Sequence, residues 1–150
     1  MLLFAQLDDN NYVLNVVAVD DDVCSTPMDP AGEVYCQNLF GGGNWKQSSE
    51  TGEFRKRNAR KLGSYDPVND VFIDEKPFAS WVLDADFAWE APVAYPSSST
   101  YNSIDVVNIH WDENSWDASN HGWLGMTRPT EAGVKTDLVW NAGTSAWDAA

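Results

Sequence analysis

Positive charge is what this sequence has least of. Nine Lys and Arg stand against 23 Asp and Glu in 150 residues, for a formal net charge of −14. That deficit excludes nucleic acid and anionic membrane as partners of the whole molecule, because both are held through Lys and Arg. Cysteine is nearly absent. Cys24 and Cys36 match no zinc or redox spacing, so they are either two free, partly buried thiols or one disulfide. Histidine is limited to His110 and His121. There is no Gly-x-Ser-x-Gly elbow, no His-Glu-x-x-His zinc pair and no Gly-x-Gly-x-x-Gly fingerprint. Long apolar runs are also missing. Met1-Leu2-Leu3-Phe4-Ala5 is too short for a membrane span and lacks the basic flank of a signal peptide, so cytoplasmic synthesis is expected.

Aromatic residues are plentiful: 13% of the chain, with eight Trp. A buried aromatic removes roughly 150–250 Å² from water, so a few can anchor a small, loop-rich fold. Phe4 to Leu7 reads as a strand and Asp8-Asp9-Asn10-Asn11 as a turn. Tyr12 to Val19 reads as the return strand. Asp29-Pro30 has the form of a helix start, with the helix running to Phe40 and Gly41-Gly42-Gly43 ending it. Val34, Leu39 and Phe40 fall on roughly one side of that helix. The glycines lack the Lys-Ser/Thr of a phosphate loop. Asp20-Asp21-Asp22 reads as a solvated loop, because the alternating ligands of a calcium loop are missing.

The rest of the chain repeats an aromatic, a polar turn and a second aromatic: Tyr65…Phe72, Trp81…Trp89, Trp111…Trp116 and Trp140…Trp147. The expected unit is a tight hairpin with an aromatic on each arm, worth roughly 0.2–1 kcal/mol per cross-strand pair. An isolated hairpin is marginal in water, so the units must pack on one another or on a partner. His121 to Gly125 reads as a Gly-rich turn. The expected fold is mainly β with one short helix, built from consecutive aromatic hairpins in two small packed segments. Residues 1–96 would form the first and 101–150 the second, with Ser97-Ser98-Ser99-Thr100 as a flexible linker.

The chemistry expected of such a chain is docking without catalysis. No catalytic residue, cofactor or metal ligand is assigned. Cys36 with a histidine is the generic nucleophile–base pair that any such chain offers. Asp84 and Asp86 with Trp81 and Trp89 would suit a sugar platform, though a hairpin is the simpler reading of them. Five of the nine basic residues, Arg55, Lys56, Arg57, Arg60 and Lys61, lie within seven positions. They are either a solvated face or a dock for an acidic neighbour, copies of the same chain included. Candidate core or interface anchors are Trp45, Trp81, Trp89, Trp111, Trp116, Trp140 and Trp147.

Longer phrases carry a resemblance. Phe4-Ala5-Gln6-Leu7-Asp8 is followed by Val13-Leu14-Asn15-Val16-Val17-Ala18-Val19. Gly32-Glu33-Val34-Tyr35-Cys36-Gln37-Asn38-Leu39-Phe40-Gly41-Gly42-Gly43-Asn44-Trp45-Lys46-Gln47 comes next. Then come Lys76-Pro77-Phe78-Ala79-Ser80-Trp81-Val82-Leu83-Asp84 and Trp89-Glu90-Ala91-Pro92-Val93-Ala94-Tyr95-Pro96. From Phe4 to Pro96 the chain resembles small virion structural proteins of marine tailed phages, cyanophages and their relatives. The resemblance implies a place on a virion after synthesis in the host cytoplasm. The favoured partner is the major capsid protein, bound as by a decoration or cement protein, and copies of the chain itself are further partners. A tail, neck or fibre component is the alternative, and a carbohydrate-binding receptor module using Trp faces is a third.

Overall fold

A computed structural model describes all residues from Met1 to Ala150. The chain is mostly β with two short helices. It divides into two compact units. Unit 1 is Met1–Pro77 with Leu83–Trp89, and unit 2 is Phe78–Val82 with Glu90–Ala150. The division therefore falls within residues 77–90, upstream of the serine run where composition places it.

Unit 1 opens with β1 (Leu2–Leu7) and β2 (Val13–Val19), the expected hairpin. Asp8 Oδ1 closes the turn by accepting from the backbone N–H groups of Asn10 and Tyr12, both at 2.8 Å. A third strand, β3 (Asn44–Ser48), pairs with the other edge of β1. The central strand is covered on both faces, which explains its near-continuous apolar run. Phe4 packs with Val19, Cys36 and Trp45 on one face. Ala5 and Leu7 pack with Val13, Ala59, Tyr65 and Phe72 on the other. The second cluster is supplied by a hairpin of β4 (Ser64–Asp66) and β5 (Val71–Ile73), where Tyr65 faces Phe72 with ring centroids 5.3 Å apart.

Helix α1 (Pro30–Leu39) begins where expected. Asp29 Oδ1 accepts from Ala31 N–H at 2.9 Å, and Pro30 occupies the first turn. Its buried side is not the expected one. Gly32 and Cys36, one turn apart, face the sheet, while Val34, Leu39 and Phe40 are about half exposed. The reason is distance. A Cβ at position 32 would collide with the Phe4 ring and with Cys24 Sγ, so only the smallest residue lets helix and strand approach this closely. The two cysteines are free thiols, Cys36 buried and Cys24 partly so. The Asp20-Asp21-Asp22 run is solvent-exposed, as expected.

A minimal hairpin, β6 (Val82–Leu83) with β7 (Trp89–Glu90), marks the stretch where the chain changes units. Unit 2 is then one sheet of β8 (Thr100–Tyr101), β9 (Ile104–Trp111), β10 (Trp123–Thr127), β11 (Asp137–Asn141) and β12 (Ala146–Ala149). The strands run in sequence order across the sheet, and its edges β12 and β8 return against each other in a nearly closed barrel. Trp147 Nε1 donates to the Ser98 carbonyl at 2.7 Å, and Val106 N–H donates to the Ser99 carbonyl at 2.8 Å. Residues 97–100 are thus part of the barrel's seam rather than a flexible linker.

Two further expectations are corrected in unit 2. The stretch after Trp111 is no hairpin but a second helix, α2 (Glu113–Ser119). Asp112 caps it by accepting from Ser115 N–H at 2.6 Å. The Asp-x-x-Ser spacing that reads as a turn is equally a helix cap, and here it caps a helix that brings Trp116 against Trp111. The region around Gly125 is a strand, not a turn. Gly125 sits inside the barrel because Val106 and Trp147 leave no room for a side chain.

Candidate docking surface

The tryptophans are mainly core. In unit 1, Trp45 is buried, stacks on Phe40 at 4.9 Å and donates from Nε1 to the Gly42 carbonyl at 2.9 Å. Trp89 is half-buried and donates to the Asp74 carbonyl at 2.8 Å. In unit 2, Trp140 and Trp147 face each other across β11 and β12 at 5.4 Å, as the hairpin reading requires. Trp81, Trp111 and Trp116 join a second aromatic group, in which Trp111 lies 6.1 Å from Trp81 and 5.5 Å from Trp116. Glu113 ties this group down by accepting from Trp111 Nε1 at 2.8 Å and from Ser80 N and Oγ at 2.7 and 2.8 Å.

The centre of that group is Trp123, which the sequence reading passes over. Its ring lies 5.3 Å from Trp111, 6.3 Å from Trp81 and 5.0 Å from Tyr95, and its Nε1 donates to the Val93 carbonyl at 2.8 Å. The available signal was the alternation Trp123, Gly125, Thr127 on one buried strand face, masked by the two glycines.

The basic cluster divides between internal pairs and the surface of unit 1. Arg55, whose side chain is only 7% exposed, donates to Asp70 Oδ1 at 2.7 Å and to the Gln47 carbonyl at 2.7 Å, and it pairs with Glu33 at 3.4 Å. Lys56 pairs with Asp86 at 3.0 Å and Arg57 with Asp74 at 3.2 Å. Arg60, with a side chain 76% exposed, and Lys61 remain at the surface. Of the five cations, Arg55 is an internal clamp and Arg57 is partly buried, while Lys56, Arg60 and Lys61 stay exposed.

Tyr65 completes the clamp by donating to Asp70 Oδ1 at 2.5 Å. Burial pushes the Tyr65 phenol up to about 12, helped by its hydrogen bond to Asp70 and opposed by the Arg55 charge. Burial also works to raise the Asp70 carboxyl, but the bonds from Tyr65 and Arg55 outweigh it and hold the carboxyl below its usual value. Because the folded state favours the neutral phenol, its contribution to stability is complete below the ordinary tyrosine range near pH 10. It is lost as the pH rises from there through about 12. Urea midpoints of the wild type should fall over that window. In Tyr65→Phe the fall should be smaller.

The cysteine and histidine side chains have local partners or surroundings. Cys36 is a protonated thiol, pushed up to about 11 by burial and by Cys24 and Glu33 nearby. His110 Nδ1 lies 2.8 Å from the Asn108 carbonyl, and His121 Nδ1 lies 3.2 Å from Ser119 Oγ. No helix is long and apolar enough to cross a membrane.

What unit 1 does present is the outward face of α1. Ala31, Tyr35 and Leu39 form one row at four-residue spacing, and Val34 and Asn38 lie beside it. All five are exposed, and none is charged. The charged residue of the helix, Glu33, is turned toward Lys46 and Arg55 instead. On a chain this acidic, a helix face without a carboxylate stands out. The sequence reading missed it by assigning the bulky apolar residues to the core.

Comparison with protein-family models, with curated proteins and with solved structures returns no match.

Proposed function

We propose that this chain is a non-enzymatic structural protein of a tailed-phage particle, docked on the capsid surface as a decoration protein. The observation that carries the docking is the charge-free outward row of α1. Val34, Tyr35 and Leu39 are 50%, 42% and 56% exposed, so an apolar surface on the partner would remove real area from water there. The virion itself is brought in by the resemblance of residues 4–96. The chain's acidity keeps unassembled copies apart, and the uncharged row lets a partner approach without meeting carboxylates. Within unit 1, the Phe4–Trp45 and Tyr65–Phe72 clusters and the Arg55 clamp hold the body that presents α1, for a role that consumes no cofactor.

The test is incorporation into particles. Val34→Ser, Tyr35→Ser and Leu39→Ser combined should leave the far-UV circular dichroism and the tryptophan fluorescence maximum unchanged, because none of the three side chains is in a core. Occupancy on purified particles should fall at least tenfold, a loss of about 1.4 kcal/mol or more. Undiminished occupancy would remove α1 from the interface. Counting the wild-type chain by quantitative mass spectrometry then separates placements. Hundreds of copies per particle fit the capsid surface, and a dozen or fewer would move the protein to the tail.

A further inference from the structure

We infer that unit 1 carries a second binding site, away from the row on α1: a cleft for a neutral pyranose sugar between Tyr12 and Trp89. The cleft encloses about 260 Å³, the scale of one monosaccharide and below the range of drug-sized pockets. Leu62, Ile73 and Leu83 supply apolar lining. Tyr12 is 55% exposed although it is a large aromatic, and Trp89 is half-buried. The indole is held in orientation by its bond to the Asp74 carbonyl, so the ring lines the cleft in one fixed setting. Two aromatics on an apolar floor suit the C–H face of a pyranose.

The rim is polar. Ser64, Asp74, Glu75 and Lys76 line it and offer hydroxyl, carboxylate and ammonium groups to a ring of hydroxyls. Asp74 is already paired with Arg57 at 3.2 Å, whereas Glu75 is exposed. Lys76 Nζ lies 5.2 Å from the centroid of the Trp89 ring. The ammonium therefore sits on the part of the ring face a sugar would use, and the ligand has to displace it. Lys76 has a flexible stem that lets it leave the ring and donate to a hydroxyl. The carboxylates and the net charge of −14 disfavour an anionic sugar, so the ligand class is a neutral pyranoside. A shallow site with one sugar ring in it binds in the millimolar range.

The site uses none of the α1 residues, so its test is independent of particle docking. Isotope-labelled full-length protein is titrated with methyl glucoside, methyl galactoside, methyl mannoside and methyl glucuronide while its amide and indole N–H resonances are followed. At least one neutral glycoside should shift the Trp89 indole and the backbone of residues 74–76 in a saturable way. The glucuronide should bind at least tenfold more weakly. Tyr12→Ala and Glu75→Gln, both at exposed side chains, should each weaken binding about tenfold or more with the rest of the spectrum unchanged. Trp89→Phe, which keeps a ring but loses the bond to Asp74, should weaken it as well. Absence of saturable shifts with all three neutral sugars would overturn the inference, as would shifts that persist undiminished in Tyr12→Ala.

Discussion

Arg55→Ala should destabilise unit 1 by about 2 kcal/mol, the scale for losing charge-assisted hydrogen bonds from a buried guanidinium to a carboxylate that is itself 44% exposed. The guanidinium reaches three partners from a side chain 7% exposed: Asp70, Glu33 and the Gln47 carbonyl. Removing it leaves Glu33, with a side chain 21% exposed, held by Lys46 at 3.5 Å and the Gln47 N–H at 3.2 Å, and leaves Asp70 held by Tyr65 alone among these partners. The backbone adds to the cost. Arg55 and Lys56 both have positive φ, at 54° and 66°, and the Arg55 carbonyl accepts from Phe72 N–H at 3.1 Å. Arg55 therefore holds a strained turn against the β4–β5 hairpin, and alanine in that left-handed position loses the anchor without relieving the strain. Urea unfolding followed by the aromatic signal of unit 1 would measure the loss. Arg55→Lys should recover only part of it, because an ammonium cannot reproduce a planar fork reaching a carboxylate and a carbonyl together. A change below about 0.5 kcal/mol in Arg55→Ala would mean that the cluster is an ordinary solvated face.

Trp123→Ala should be the most damaging single change in unit 2, at about 3–5 kcal/mol. The indole sits among Trp111, Trp81 and Tyr95, and Trp123 is 8% exposed. Truncation opens a cavity among rings that cannot collapse onto one another, and it strips the Val93 carbonyl of its donor. Trp123→Phe should cost less, because a ring still fills much of the space. The near-UV circular dichroism of Trp123→Ala should lose intensity even under conditions where the barrel remains folded, since coupled tryptophan rings dominate that signal. Trp116→Ala makes the useful contrast. Trp116 lies at the edge of the group on α2 and is only partly buried, so its loss should be the smaller. If the two variants unfolded at the same denaturant concentration, Trp123 would not be the centre of the group.

Both predictions rest on residues whose importance the linear sequence understates. Arg55 sits in a run of five cations and reads as surface. Trp123 sits between two glycines and reads as turn. Local features were more legible. The Asp8 turn, the Asp29-Pro30 start of α1, the glycines that end it, and the Tyr65–Phe72 and Trp140–Trp147 pairs all lie where spacing and turn chemistry place them. In each the deciding contact lies within about ten residues, so the chain segment itself contains the information. The Trp111…Trp116 unit has the same local signature and became a cap and a helix instead. Its signature suited both outcomes, and the helix it caps brings Trp116 against Trp111.

The candidate docking row shows why the surface was harder to read than the core. α1 offers two possible inward faces, one with Val34 and Leu39 and one with Gly32 and Cys36. Hydrophobicity alone favours the first. The fold uses the second, because β1 presents Phe4 at close range and only a small residue fits beneath it. The same holds for the unit boundary. Serines 97–99 have linker composition, yet the Ser98 and Ser99 carbonyls close the barrel seam through Trp147 and Val106.

The sequence by itself determined the class of fold and most of the local elements, because turns, caps and cross-strand aromatic pairs depend on residues near one another in the chain. It also determined the acidity that constrains every partner. Only the tertiary structure decided which tryptophans are core, that Arg55 of the basic run is an internal clamp, and which side of α1 faces outward. Those outcomes depend on what distant segments bring to the same place: Glu33 and Asp70 to Arg55, Tyr95 and Trp81 to Trp123, and Phe4 to Gly32.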